Sequence, residues 1–331
     1  MAAKVGSESW ARPVRLLAAG GTIAMRGERA VPALDATELV KQLPGLGSAP
    51  GLTAENVLAL PGPHLSLSDA LELARRACEA GDAGDGVVIT TGTDTMEEVA
   101  VLCGLLYGGA APIVLTGANR PGSSPGADGP ANLLDAVVLA GAEASSGLGV
   151  VVVFGGEVHG ALTVRKVDST GPTAFGSPVA GPMGRVVEGR VWLHALPIRP
   201  SPLSVERLAH RVDVIAVGLG DDGAQLTHSA AAADGLVVVA LGAGHLPPAV
   251  LHALGGAAER VPVVITCRPD RASMLFATYG FEGAERDVRA TAAVCAPFLS
   301  APAARIALLC CLGAGLDRAG IAAALAPWDA R

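Results

Sequence analysis

The sequence predicts an α/β protein of two domains, a larger N-terminal one on a parallel sheet and a smaller C-terminal one. Three observations predict it. Short apolar runs end in Gly, Ser or Thr and give way to Ala/Leu-rich stretches of helical length, a βα rhythm that recurs along most of the 331 residues. The runs are β-branched and almost continuously apolar, as strands covered on both faces are. One segment rich in proline and charge, LPIRPSPLSVERLAH at 196–210, parts two blocks that each restart the alternation. The expected division is an N-terminal domain over 1–195, a linker over 196–211 and a C-terminal domain over 212–331.

In chain order, VRLLAA predicts a strand over 14–19, stopped by Gly20-Gly21, and a helix follows over 37–42. NVLAL gives a strand over 56–60, and the Ser66-opened run to 79 a helix. GVVIT (86–90) and IVLT (113–116) are strands, each followed by a polar loop and then by a helix, over 97–106 and over the Pro-opened 130–141. VVVVF (150–154) closes the first block. The second block reads as strands over 212–217, 236–241 and 261–266, with helices opened by Pro247 and Pro302 over 247–254 and 302–316.

Composition narrows the function. Lys plus Arg number 24 against 31 Asp plus Glu, a net charge of −7 with no basic cluster, which argues against nucleic acid and anionic lipid as partners. No apolar run has the length of a secretory signal or a membrane span, so a cytoplasmic protein is expected. The six cysteines are scattered without C-x-x-C spacing or nearby His pairs, so neither a zinc site nor a disulfide framework is expected.

Ligands of open parallel sheets sit outside the carboxyl ends of the strands, and three loops there are rich in hydroxyls and glycine. In Gly20-Gly21-Thr22-Ile23-Ala24 two glycines let backbone approach a ligand and Thr22 projects a hydroxyl; turn chemistry alone explains the same residues. Thr91-Gly92-Thr93-Asp94-Thr95-Met96-Glu97-Glu98 reads either as a helix start, with Asp94 as cap and Glu97 three residues on, or as a hydroxyl beside a carboxylate, half of a nucleophile system. The loop from Thr116 to Asn132 offers backbone groups to a small polar ligand. A fourth candidate is Lys166, because a chain that uses 21 Arg and 3 Lys keeps here the one cation able to give up a proton. Together these supply a hydroxyl nucleophile, a second hydroxyl, a carboxylate and an ammonium, the set for acyl transfer without histidine, metal or cofactor. No histidine lies in these loops and no G-x-S-x-G elbow occurs, which disfavours a Ser-His-Asp hydrolase. Gly218-Leu219-Gly220-Asp221-Asp222-Gly223 formally matches a dinucleotide fingerprint, but its two aspartates would repel a pyrophosphate.

GGTIA at 20–24, TGTDTMEE at 91–98 and TGANRPGSSPGADGPANL at 116–133 resemble the bacterial-type L-asparaginase/glutaminase family, in the family's order and spacing. The resemblance implies the asparaginase fold, with a flavodoxin-like C-terminal domain, and hydrolysis of L-asparagine to L-aspartate and ammonia. It also implies a homo-oligomer, often a tetramer built as a dimer of intimate dimers. Thr22 matches the nucleophile, and Thr93, Asp94 and Lys166 match the catalytic threonine, aspartate and lysine. Asp94 would hold the substrate's α-ammonium. Backbone near Ala118 and the Thr93 N–H would face the amide oxygen, Gly21 and Gly92 would border the substrate, and Glu285 matches a carboxylate brought by a neighbouring subunit.

The chain also departs from the family pattern. Residues 25–36 lack the tyrosine that closes over the nucleophile, the only tyrosines being Tyr107 and Tyr279. Gly62 stands where a substrate-binding serine is expected, leaving a backbone N–H for the α-carboxylate. Ala19 and Thr91 replace a common threonine and histidine. These departures leave two alternatives to the asparaginase reading, a weak or inactive binder of aspartate or asparagine and a glutaminase-asparaginase.

Overall fold

The structure, a computed structural model, describes residues 10–27, 31–43 and 51–329, with the backbone alone at 31 and 32. It forms two compact units, one to Pro202 and one from Leu203. The first holds β1 (Val14–Gly20), β2 (Met25–Arg26), β3 (Val31–Pro32), α1 (Ala36–Lys41), β4 (Leu52–Leu60), α2 (Leu67–Asp82) and β5 (Gly86–Thr90). There follow α3 (Met96–Leu106), β6 (Ile113–Thr116), α4 (Gly129–Gly141), β7 (Val150–Phe154), β8 (Glu157–Gly160), β9 (Arg165–Lys166), β10 (Phe175–Gly176), β11 (Gly184–Val187) and β12 (Arg190–Leu193). The second unit holds β13 (Val212–Ala216), α5 (Ala224–Ala230), β14 (Gly235–Ala240), α6 (Pro248–Arg260), β15 (Val263–Cys267), α7 (Glu285–Arg289), β16 (Val294–Cys295), α8 (Ala301–Gly313) and α9 (Arg318–Leu325).

The main sheet has eight strands in the order β12-β11-β8-β7-β6-β5-β1-β4. Its five strands from β7 to β4 pair in parallel, and β5, β6 and β7 are buried along their whole length. The expected parallel sheet is therefore present but is not the whole sheet, because β8, β11 and β12 extend it antiparallel. The physical reason is two tight turns. Gly155 and Gly156 (φ 58° and 77°) and Glu188 and Gly189 (φ 50° and 72°) supply the consecutive left-handed residues that a two-residue hairpin matched to sheet twist requires.

Caps position the flanking helices. Asp35 and Ser66 each accept the main-chain N–H three residues on, and Glu38 and Asp69 return the bond, so α1 and α2 both start with capping boxes. Ile23, Val88, Val114, Leu133, Val137 and Val151 belong to the core on one side of the sheet. The second unit is a four-stranded parallel sheet in the order β13-β14-β15-β16. Its helix α6 runs past the expected end at 254 through Gly255 and Gly256. Val250, Leu254, Ala257 and Ala258 keep one buried face across that pair.

Candidate active site

Among the parallel strands of the main sheet, chain order against spatial order is 2-1-3-4-5, with the reversal between β1 and β5. The crevice of such a sheet opens outside the strand ends at that reversal. The loops there are Gly20–Ala24 after β1 and Thr91–Thr95 after β5, two of the three that the sequence singled out.

These loops meet backbone to backbone. A Cβ on Gly21 (φ 81°) would lie 2.5 Å from Gly92 N and 2.6 Å from the Thr91 carbonyl carbon, and one on Gly92 would lie 2.7 Å from Gly62 Cα. No side chain fits at either position, so the loops of Gly21, Gly62 and Gly92 close on one another only because residues 21 and 92 are glycines. Thr22, next to Gly21, opens a single 3-10 turn (Thr22–Ala24) and is half-buried. Thr93, next to Gly92, is buried.

Lys166 joins them from β9. Its Nζ donates to Thr93 Oγ1 at 2.9 Å and to Asp94 Oδ1 at 2.8 Å. The Lys166 side chain is 20% exposed and that of Asp94 60%, so the ammonium is shielded while the carboxylate faces solvent and can meet an incoming cation. The Lys166 main-chain N–H donates to Glu97 Oε2 at 2.8 Å. Burial pushes the Glu97 carboxyl above its ordinary value, and the bond from Lys166 opposes that rise.

The third loop is fixed on both sides of Ala118. The Asn132 amide donates to Gly117 O at 3.0 Å, while Asp128 accepts from the main-chain N–H of Asn119 at 3.0 Å and of Arg120 at 2.9 Å. A Cβ on Gly117 would lie 2.6 Å from Thr91 O, so this loop rests against the Thr91 segment.

The structure thus brings Thr93, Asp94 and Lys166 into direct contact, packs Gly21, Gly62 and Gly92 together with Thr22 beside them, and sets Gly117, next to Ala118, against Thr91. Glu285 lies in the second unit, closed from solvent. Its Oε1 accepts the main-chain N–H groups of Thr278 and Tyr279, and its Oε2 lies 3.3 Å from His245 Nε2. Burial opposes the Glu285 charge, but the N–H groups of Tyr279, Glu285 and Thr278 together with His245 outweigh it and hold the carboxyl below its ordinary value.

Asp94 is not the cap of α3: the cap is Thr95, without a side-chain cap bond among the described residues, because the Asp94 carboxylate turns to Lys166. In the dinucleotide-like loop, Asp221 accepts Gly223 N and Asp222 accepts Ala224 N, so the aspartates occupy N–H groups that a phosphate would need. Sequence reasoning gave no site role to Glu97, Asp128 or Asn132. A buried asparagine three residues into a Pro-opened helix was the available signal for the last. A cavity of about 350 Å³ lined by Gly20, Ala24, Asp35, Asn56 and Leu58 holds none of Thr22, Thr93, Asp94 and Lys166.

Residues 13–199 match the family described as asparaginase, N-terminal, and residues 211–325 match the glutaminase/asparaginase C-terminal domain. A probable L-asparaginase of Deinococcus radiodurans is 36% identical over 92% of this chain and 94% of its own length. L-asparaginase 2 of Escherichia coli is 33% identical over 76% of each chain. The crystal structure of a probable cytoplasmic L-asparaginase from Campylobacter jejuni aligns with a TM-score of 0.82 and 28% identity, covering 95% of this chain and 99% of that one. Among the described residues no helix is long and apolar enough to cross a membrane.

Proposed function

The chain belongs to the asparaginase family, and on that premise we propose that it is an L-asparaginase in which Thr22 attacks the side-chain carboxamide of L-asparagine. The observation that carries the assignment is the Lys166 ammonium bonded at once to Thr93 Oγ1 and Asp94 Oδ1, beside the backbone contact of Gly21 with Gly92, the residues that precede Thr22 and Thr93.

Asp94, with its carboxylate half open to solvent, binds the substrate's α-ammonium, and the Gly62 N–H meets the α-carboxylate. The Thr22 oxygen forms a bond to the carboxamide carbon as its proton passes to the Thr93 hydroxyl, which the Lys166 ammonium orients and whose own proton goes on to the substrate's amide nitrogen. The oxyanion faces the Thr93 N–H and the backbone at Ala118, whose position the Asn132 and Asp128 bonds fix. The C–N bond then breaks and the protonated nitrogen departs as ammonia. Water adds to the resulting Thr22 ester, its proton returns to the Thr22 oxygen through the Thr93 hydroxyl, and L-aspartate leaves with the Thr22 hydroxyl restored.

Self-association and a cytoplasmic setting complete the proposal. Phe276, Tyr279 and Phe281 are about half exposed on one segment of a chain that has few aromatics, a surface suited to a second copy. For Glu285 to reach a neighbour's substrate, its carboxylate must leave Thr278, Tyr279 and His245. Sedimentation at graded concentrations tests the assembly, and cell fractionation the location. Ammonia release from L-asparagine tests the activity: Thr93→Val and Lys166→Met, folded by melting temperature, lose about 100-fold or more in kcat, the range of positioned proton transfer. Near-full activity in either variant removes that residue's role.

A further inference from the structure

The TGTDTMEE segment carries a polar residue for which the proposed chemistry has no task. Glu97 lies in the first turn of α3, where an acid ordinarily complements the helix end. Its carboxylate instead reaches across to β9 and accepts the main-chain N–H of Lys166. We propose that Glu97 is a positioning residue for the hydrolysis, holding the Lys166 main chain so that the ammonium arrives at Thr93 and Asp94. The inference rests on the catalytic assignment of Lys166 above.

Lysine is a compact charge on a flexible four-carbon stem, so its ammonium is fixed only when its backbone is fixed too. The local strand does little of this. β9 is two residues long and, among the described residues, pairs with two-residue β10 alone, Lys166 opposite Phe175 and Arg165 opposite Gly176, and a ladder that short is weak on its own. Glu97 supplies what it lacks, a charged acceptor at 2.8 Å, stronger than a neutral one. Thr93 and Asp94, which take the ammonium, stand four and three positions before Glu97. One segment therefore grips the lysine at both ends, and any shift of that segment carries main chain and ammonium together. Half-buried, the carboxylate is shielded from the water that would compete for the bond.

Steady-state ammonia release from L-asparagine by the full chain as Glu97→Gln, Glu97→Met, Lys166→Met and the Glu97→Met/Lys166→Met double variant tests the proposal. Gln keeps an oxygen acceptor of the same reach, whereas Met keeps the size and removes it. Glu97→Met is expected to lower kcat about 10- to 100-fold, the scale of an ångström-sized misplacement, with KM within about twofold. Gln should restore kcat to within about threefold, and in the Lys166→Met background the Met substitution should change kcat by less than about twofold, since coupled residues are not additive. Wild-type kcat in Glu97→Met, a Gln variant as slow as the Met variant, or an equal loss with and without Lys166 overturns the proposal. Full activity of Lys166→Met strikes the catalytic assignment itself, whatever Glu97 does. Should Glu97→Met not fold, amide hydrogen exchange of Lys166 in the wild-type chain decides: slow exchange is expected, and exchange at the open-chain rate overturns the proposal.

Discussion

Replacing Gly92 with alanine tests how the site is held together. The added Cβ would sit 2.7 Å from Gly62 Cα and 2.8 Å from Gly62 N, and ordinary contact begins at 3.4 Å. Both obstacles are main chain, with no rotamer to turn away, so the Gly62 and Gly92 loops must part by about 0.7 Å. Overpacking of this kind costs about 2 kcal/mol, or about 4 to 8 °C of melting temperature for a unit near 200 residues. Thr93 follows Gly92 directly, and its displacement from Thr22 should lower kcat/KM about 10- to 100-fold. Calorimetry and ammonia release measure the two effects. The reciprocal change, Gly62→Ala, places a Cβ 3.4 Å from Gly92 Cα and from Thr95 Oγ1, which is ordinary contact, and should cost little stability. A Gly92→Ala chain with unaltered melting and turnover would show that the Gly62 and Gly92 loops can close without glycine at position 92.

Two further outcomes are expected. Gly62→Ser, for which there is room at the Cβ, adds a hydroxyl toward the α-carboxylate and should lower KM for asparagine about tenfold, the worth of one hydrogen bond to a charged group; an unchanged KM in steady-state kinetics would remove Gly62 from the binding set. Burial pushes the Asp135 carboxyl up to about 6 from its ordinary 3.8. Its favourable contribution is therefore full below pH 3.8 and lost as pH rises through 6. Asp135→Asn should stabilise the chain by about 1 kcal/mol at pH 8, after allowance for the solvent that still reaches the group, and not at pH 3.5. Thermal melts at the two pH values check this, and equal gains at both would contradict it.

Much of the site was legible because strand ends announce it. β5 and β6 are continuous apolar runs, so the polar residues directly after them stand out, and Thr93, Asp94 and Lys166 do converge. What escaped were bonds between distant segments. The grip of Glu97 on Lys166 joins residues 69 apart, and local spacing around Glu97 reads equally well as a helix start. Asn132 looked like one more helix residue until its amide proved to bind Gly117 and Gly155. The antiparallel edge was missed although Gly155-Gly156 is a hairpin signal, because β8 is short and its partner β11 lies 24 residues further on.

Acid-quenched mass spectrometry of the chain during turnover of L-asparagine tests the nucleophile most directly. An aspartyl ester should be found on the peptide containing Thr22 and be absent from Thr22→Ala, which should release no ammonia above background. An ester on a different residue, or undiminished turnover by Thr22→Ala, would contradict the assignment.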